Sequence, residues 1–422
     1  MEPKIRLKGY SKEWQQVRLG EIGSFKSAGV DKKINANESM INLLNYMDVY
    51  NKKDINASNC NELMHVSATS KQIQECNVLK GDIFFTPTSE TAEDIGHVMT
   101  IEEDLPNTCY SYHLMRFRPQ KDVFYGSFPN YGLESDYIRK QMVLAAKGVQ
   151  RMVIGKSDFD ALSVYLPTIN EQKDISKFFN NLNALIKACN QKIESLKQVK
   201  VASLQSMFPQ EGETSPRVRF KGFEGEWNVV TLGEVGTFKS NGVDKLVRPD
   251  EKMINLLNYL DVYNSRQINK ENCNSLMQVS ASDRQIIECD VQKNDIFFTP
   301  SSETAEDIGY VLVMKDTLPN TCYSYHLMRY RPNEGVFFED FPNYGFTTKY
   351  VREQMRLLAK GVQRFVIGKT EFESIKVQIP SYQEQKKIAD YFRSLDSQII
   401  GQTQRLDKLK QIKSACLDNM FV

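Results

Sequence analysis

Between Glu171 and Phe208 the chain holds neither glycine nor proline. Its apolar residues there return at three- and four-residue steps: Ile175, Phe178, Phe179, Leu182, Leu185, Ile186, Ile193, Leu196, Val199, Leu204 and Met207. That spacing lays an apolar stripe along one face of a single helix. At ~1.5 Å rise per residue, about 37 residues reach roughly 55 Å. One small domain cannot wrap such a length, so the stripe requires a partner helix. A second run supplies it, with Ile388, Tyr391, Phe392, Leu395, Ile399, Leu406, Leu409, Ile412, Leu417 and Met420. It opens at Pro380, 213 residues after the Pro167 that opens the first.

The same offset governs the rest of the chain. Residues 6–209 align without a gap with 219–422, residues 105–116 recur letter for letter at 318–329, and 84–98 match 297–311 except at Thr88/Ser301 and His97/Tyr310. Each copy begins with a leader carrying Trp14 and Leu19-Gly20-Glu21, or Trp227 and Leu232-Gly233-Glu234. Short β-like runs follow, around 82–86 and 113–118 in the first copy, separated by turn residues. A helix is predicted over 134–147, closed by Gly148. A strand near 164–166 then leads into the proline and the long helix.

The reading is an α+β protein made of two tandem heads, 1–166 and 219–379, each followed by a long helix, 167–208 and 380–422, with a linker at 209–218. About nine linker residues reach at most ~30 Å, less than the helix. The second head must therefore start near the far end of the first helix, and the second helix must run back. This predicts antiparallel packing and a pseudo-two-fold axis. Two equal heads on such an axis suit a DNA duplex with two half-sites, and suit a dimeric protein target as well.

Lys and Arg number 54 against 53 Asp and Glu, a net charge of +1, so any polyanion must be met by local basic surface. No apolar run is long enough to span a membrane, and Met1-Glu2-Pro3-Lys4 does not read as a signal peptide. Eight cysteines without CxxC spacing read as buried thiols in a reducing cytoplasm.

Four motifs recur in fixed order: the Arg-Phe-Lys-Gly-Phe-Glu-Gly-Glu-Trp leader at 219–227, Leu-Gly-Glu at 19–21 and 232–234, Gly-Asp-Ile-Phe at 81–84, and Pro-x-x-x-Glu-Gln at 167–172 and 380–385 before each long helix. Together, over nearly the whole chain, they resemble the specificity subunit of type I restriction-modification enzymes. The resemblance implies two target-recognition domains, each reading half of a bipartite site in double-stranded DNA. It implies helices that set the gap between half-sites and dock two methyltransferase (modification) subunits. ATP-dependent restriction subunits would join through the complex. The second copy departs by placing Asn294 where the first has Gly81, which questions the turn there.

Candidate DNA contacts fall in three segments of each copy. Lys147, Gln150 and Arg151, with Lys360, Gln363 and Arg364, combine phosphate-binding cations with an amide that can read adenine; the plainer reading is a helix cap and a solvated turn. Thr88, Ser89 and Glu90, with Ser301, Ser302 and Glu303, offer hydroxyls and carboxylates to base edges, or else form a capping box. Lys26 and Lys32, with Lys239 and Lys245, would position phosphates, or are ordinary charged turns. Tyr110, Tyr112, Arg116 and Arg118 alternate along one presumed strand, which reads more readily as core with arginines at its rim. Glu171 and Gln172, with Glu384 and Gln385, suit a helix N-terminus, and the resemblance adds partner docking. Ile175, Leu182, Leu196, Ile388, Leu395 and Leu409 are the expected inter-helix seam.

Nothing in the sequence supplies catalysis: there is no glycine-rich phosphate loop and no Asn-Pro-Pro-Tyr or Asp-Pro-Pro-Tyr of adenine methyltransferases. Cys109 with His113, and Cys322 with His326, offer too few ligands for structural zinc. Asp82, Glu90, Glu93 and Asp94 lack the supporting lysine of a magnesium nuclease. Neither cofactor nor metal is expected. The near-identity of the heads predicts near-identical half-sites, an interrupted palindrome, with 33–39 against 246–252 as the largest difference. The alternative is a stand-alone adaptor or repressor bridging two identical partners.

Overall fold

A computed structural model describes residues 2–422. Two compact units divide the chain: Met1–Asn190 with Gln404–Val422, and Gln191–Thr403. Each unit therefore holds one head, the beginning of its own long helix and the end of the other copy's helix.

In the first unit a four-stranded antiparallel sheet runs in the order Gly23–Lys26, Met115–Pro119, Ile83–Phe85, Val98–Thr100. A three-stranded sheet places Ser39–Leu44 between Met64–Ala68, antiparallel, and Thr108–Tyr110, parallel. Because successive strand residues face opposite ways, Ile83-Phe84-Phe85 serves two cores at once. Ile83 and Phe85 pack with Phe25, Phe117 and Phe159, while Phe84 packs with Ile41, Leu43, Val66 and Tyr110. The second unit repeats this with Ile296 and Phe298 on one side and Phe297 on the other. The leader strand Gln15–Arg18 pairs antiparallel with Ser163–Leu166 directly before the long helix, as Asn228–Thr231 does with Lys376–Ile379.

The long helices are Ile169–Ser206 and Tyr382–Met420, 38 and 39 residues. Ile175, Phe179 and Leu182 are buried in the first unit, and Leu196, Ile388 and Leu395 in the second, whereas Leu409 is half-buried and Leu185 and Val199 are exposed. The stripe is narrower than its periodicity predicts. In the second unit the Tyr391 hydroxyl meets Ser203 at 2.9 Å and Asp396 accepts from Lys200 at 2.5 Å, so residue numbers rise on one segment as they fall on the other. The two helix segments of that unit are antiparallel. The end of the first helix plugs an aromatic socket, where the Phe208 ring lies 5.7 Å from both Trp227 and Phe341 and 6.1 Å from Phe392. In the first unit Phe421 fills the matching socket of Trp14, Phe128 and Phe179 at 6.2, 6.0 and 5.9 Å.

The Glu-Gln pairs are not free surface. Gln172 accepts from the Tyr125 N–H at 3.0 Å and donates to the Val123 and Pro167 carbonyls at 3.1 and 3.2 Å, and Gln385 repeats all three bonds with Phe338, Val336 and Pro380. Glu171 and Glu384 are each 1% exposed, and each accepts a guanidinium from its own leader, Arg6 or Arg219, at 2.7 Å. These four residues bolt each head to its helix, and none offers a polar group to a docking partner.

Candidate nucleic-acid interface

The helix predicted over 134–147 spans Asp136–Ala145 and ends before Gly148, which does other work. Lys147 and Val153 exchange reciprocal backbone hydrogen bonds of 3.0 and 2.9 Å, closing a narrow loop over 148–152. Gly148 sits at φ +145°, and a Cβ there would lie 2.0 Å from the Arg151 carbonyl oxygen, so only glycine fits. Gly361, at φ +147°, does the same in the second copy. Val149 at the tip is 100% exposed, and Gln150 and Arg151 beside it are exposed.

Residues Met152–Val153 pair antiparallel with Thr88–Ser89. This ladder brings the Arg151 guanidinium onto the Thr88 hydroxyl at 3.0 Å. In the second copy Arg364 donates to the Ser301 hydroxyl at the same distance, so the Thr/Ser difference leaves the contact intact. The ladder turns Ser89 inward, where it is buried and its hydroxyl reaches Asp94 at 3.4 Å. Ser301 is likewise buried. These two residues orient the interface and do not themselves face outward, a correction to their expected role. Glu90 and Glu303 remain exposed, and Ser302 half-exposed. No helix follows, so the capping-box reading falls too.

The presumed strand of alternating Tyr and Arg is broken by a turn. Tyr110 ends one strand and is fully buried, while Arg116 lies in the next and spans to the Glu75 and Asn77 carbonyls at 3.3 and 3.1 Å. Arg118 holds the buried Asp82 at 2.6 and 2.7 Å. Asp94 is engaged by Tyr50 at 3.1 Å and His97 at 3.0 Å. Asp82 and Asp94 are thus structural.

The turn between those strands carries Tyr112 and His113, their rings 3.9 Å apart between centroids and tilted by 36°, with Tyr112 half exposed. Gly29 lets the 26–32 loop lie against this turn, since a Cβ would be 2.3 Å from the Tyr112 nitrogen. Burial, then the charges of Lys32 and Arg151, push the His113 imidazole below its usual pKa, against the opposing pull of Asp31. Burial, Lys245 and Arg364 do the same to His326. Two cations from distant segments thus converge on one aromatic pair in each head. Lys26 is less available, being paired to Glu75 at 3.0 Å, and Lys147 is paired to Asp158 at 3.2 Å. Lys360 is paired to Glu371 at 2.6 Å, whereas Lys239 pairs with no carboxylate among the described residues. Val149 and His113 are not among the expected candidates, and Tyr112 was expected on a strand that packs in the core. The sequence signals that could have found them are an aliphatic residue between glycine and glutamine, and a Tyr-His pair between two strands.

The family described as the type I restriction modification DNA specificity domain matches residues 11–198 and again 224–411. A candidate type I restriction enzyme specificity subunit, MjaX, of Methanocaldococcus jannaschii is 20% identical over 362 residues, 82% of this chain and 79% of the relative. The crystal structure of a type I restriction-modification S subunit from M. genitalium superposes with a TM-score of 0.58 at 15% identity, covering 100% of this chain and 99% of the other. An HsdS subunit from Thermoanaerobacter tengcongensis gives 0.50 at 15% identity, with 98% of each chain covered. No helix among the described residues is long and apolar enough to cross a membrane.

Proposed function

The chain belongs to the family of type I restriction-modification DNA specificity subunits, and from that premise we propose that its two heads read near-identical half-sites of an interrupted, near-palindromic DNA sequence. One observation carries this reading: the Lys32, Tyr112, His113, Gln150 and Arg151 arrangement recurs as Lys245, Tyr325, His326, Gln363 and Arg364, down to the 3.0 Å bond from arginine to hydroxyl. Equal readers select equal bases. The 33–39 and 246–252 loops differ, yet each is held at its base by a serine hydroxyl, Ser67 or Ser280, at 2.8 Å. Any divergence between half-sites traces to that loop.

The mechanism is targeting. Lys32 and Arg151 engage phosphates and fix register, while Gln150 presents its amide to a base edge in the major groove. The chain itself makes and breaks no bond. Methyl transfer to adenine belongs to two modification subunits, and ATP-dependent restriction subunits join the same assembly. The docking surface for the modification subunits lies outside the buried Glu-Gln pairs.

Single-molecule sequencing of host DNA, with and without this gene, tests the reading. The expected result is loss of one interrupted methylated-adenine motif with matching halves. A lost motif with unrelated halves, or an unchanged methylome, overturns it.

A further inference from the structure

We propose that the loops 148–152 and 361–365 read an A·T base pair through the methyl group of thymine, with Val149 and Val362 as the specificity-determining residues; this rests on the DNA-recognition reading above. Val149 and Val362 are 100% and 93% exposed. A β-branched aliphatic side chain held in water contributes nothing to its own core. Yet the loop carrying it is rigidly built. Lys360 and Val366 repeat the 3.0 and 2.9 Å closing bonds of Lys147 and Val153. Gly148 and Gly361 occupy a backbone position that no other residue can take, with a Cβ meeting carbonyl oxygen at 2.0 and 1.9 Å.

The order of side chains on this loop is apolar, amide, cation. Arg151 is anchored at its Thr88 end, and Gln150 and Gln363 have no hydrogen-bond partner among the described residues. In the major groove an A·T pair displays an adenine edge that a glutamine amide can bond bidentately, and beside it the thymine 5-methyl, an apolar group that a valine can cover. The loop thus carries one complement for each group, with the arginine left for phosphate. Residues 147–151 recur unchanged at 360–364, so the same pair is read in both half-sites.

The test uses the complex with its modification subunits and duplexes carrying the methylated motif, each thymine replaced in turn by deoxyuridine, which removes only the 5-methyl. One thymine in each half-site is expected to weaken binding about fourfold when replaced, the equivalent of burying one methyl group. A complex carrying V149A and V362A loses the contact in both half-sites, so it is expected to bind the unaltered duplex about sixteenfold more weakly and to ignore that replacement. If no thymine matters, or the double variant stays as sensitive as the parent, the methyl-reading inference is overturned while DNA recognition stands. If the complex does not prefer its motif over a scrambled duplex, the recognition reading fails and takes the inference with it.

Discussion

Arg6 and Glu171, 165 residues apart in sequence, meet through two parallel hydrogen bonds of 2.7 and 2.8 Å, with the carboxylate withdrawn from solvent. The leader of the head thereby grips the first turn of the long helix. Removing one partner strands a buried charge, which costs about 3–5 kcal/mol. Glu171→Ala or Arg6→Ala is expected to lower the melting temperature of the first unit, and the double variant to cost less than the sum. A calorimetric double-mutant cycle measures this. A coupling near zero shows the pair to be a surface contact.

Gly148→Ala and Gly361→Ala probe the interface without touching a core. The added Cβ collides with backbone, so the loop must open and displace Gln150 and Arg151 together. Loss of one base-reading amide is worth about 1–3 kcal/mol, or roughly tenfold in affinity. Melting temperature is expected to shift little because the loop is exposed. Titration of the variant complex against its motif decides whether the loop needs this shape.

Phosphate and base contacts leave different signatures. Lys32→Ala and Arg151→Ala are each expected to weaken binding equally on all sequences and to flatten the log-affinity against log-salt slope by about 1 per contact. Gln150→Ala is expected to leave that slope alone and relax discrimination at one base pair. Salt titrations on specific and scrambled duplexes separate the two classes.

The helices and the repeat were legible because their signals are local or self-similar: a glycine-free apolar period and a constant offset. The interface was only half legible. Gln150 and Arg151 read correctly as exposed, since glycine beside them marked a loop. Ser89 misread, because its inward turn depends on pairing with Met152, far along the chain. Glu171 read correctly as a first-turn acid of the long helix, but its ion pair was not legible, its partner Arg6 being remote. Asn294 at φ +69° takes the left-handed turn that Gly81 makes at +86°, a conformation asparagine tolerates, so that departure from the motif is structurally silent.

His113 gives the fold a pH dependence of known sign. Its pKa lies below the ordinary 6.5 in the folded chain, so between those two values the unfolded chain binds more protons. Stability therefore rises with pH through that window and falls on acidification below about 6.5. In the proposed complex DNA phosphates would favour the imidazolium, so binding is expected to take up protons and to strengthen at lower pH. His113→Asn with His326→Asn is expected to flatten both profiles, read by melting curves and by DNA titrations between pH 5 and 8.

At Lys413 the two copies differ in charge pairing. Its counterpart Lys200 pairs with Asp396 at 2.5 Å, and Asp396 also accepts from the Tyr344 hydroxyl at 3.1 Å. By the 213-residue register the first unit places Asn183 and Tyr131 at the equivalent positions, and Asn183 donates to the Tyr131 hydroxyl at 3.0 Å. Lys413 thus lacks the aspartate that Lys200 has. Burial, then Lys52, lowers its pKa, against the opposing pull of Glu134. Asn183→Asp supplies the missing charge with an acceptor for Tyr131, and is expected to stabilise the first unit by about 1 kcal/mol. The gain should be present at neutral pH and be lost as rising pH takes the proton from Lys413. Lys413→Met in the same background should abolish the gain. A destabilised Asn183→Asp protein shows that the new carboxylate is buried without its lysine.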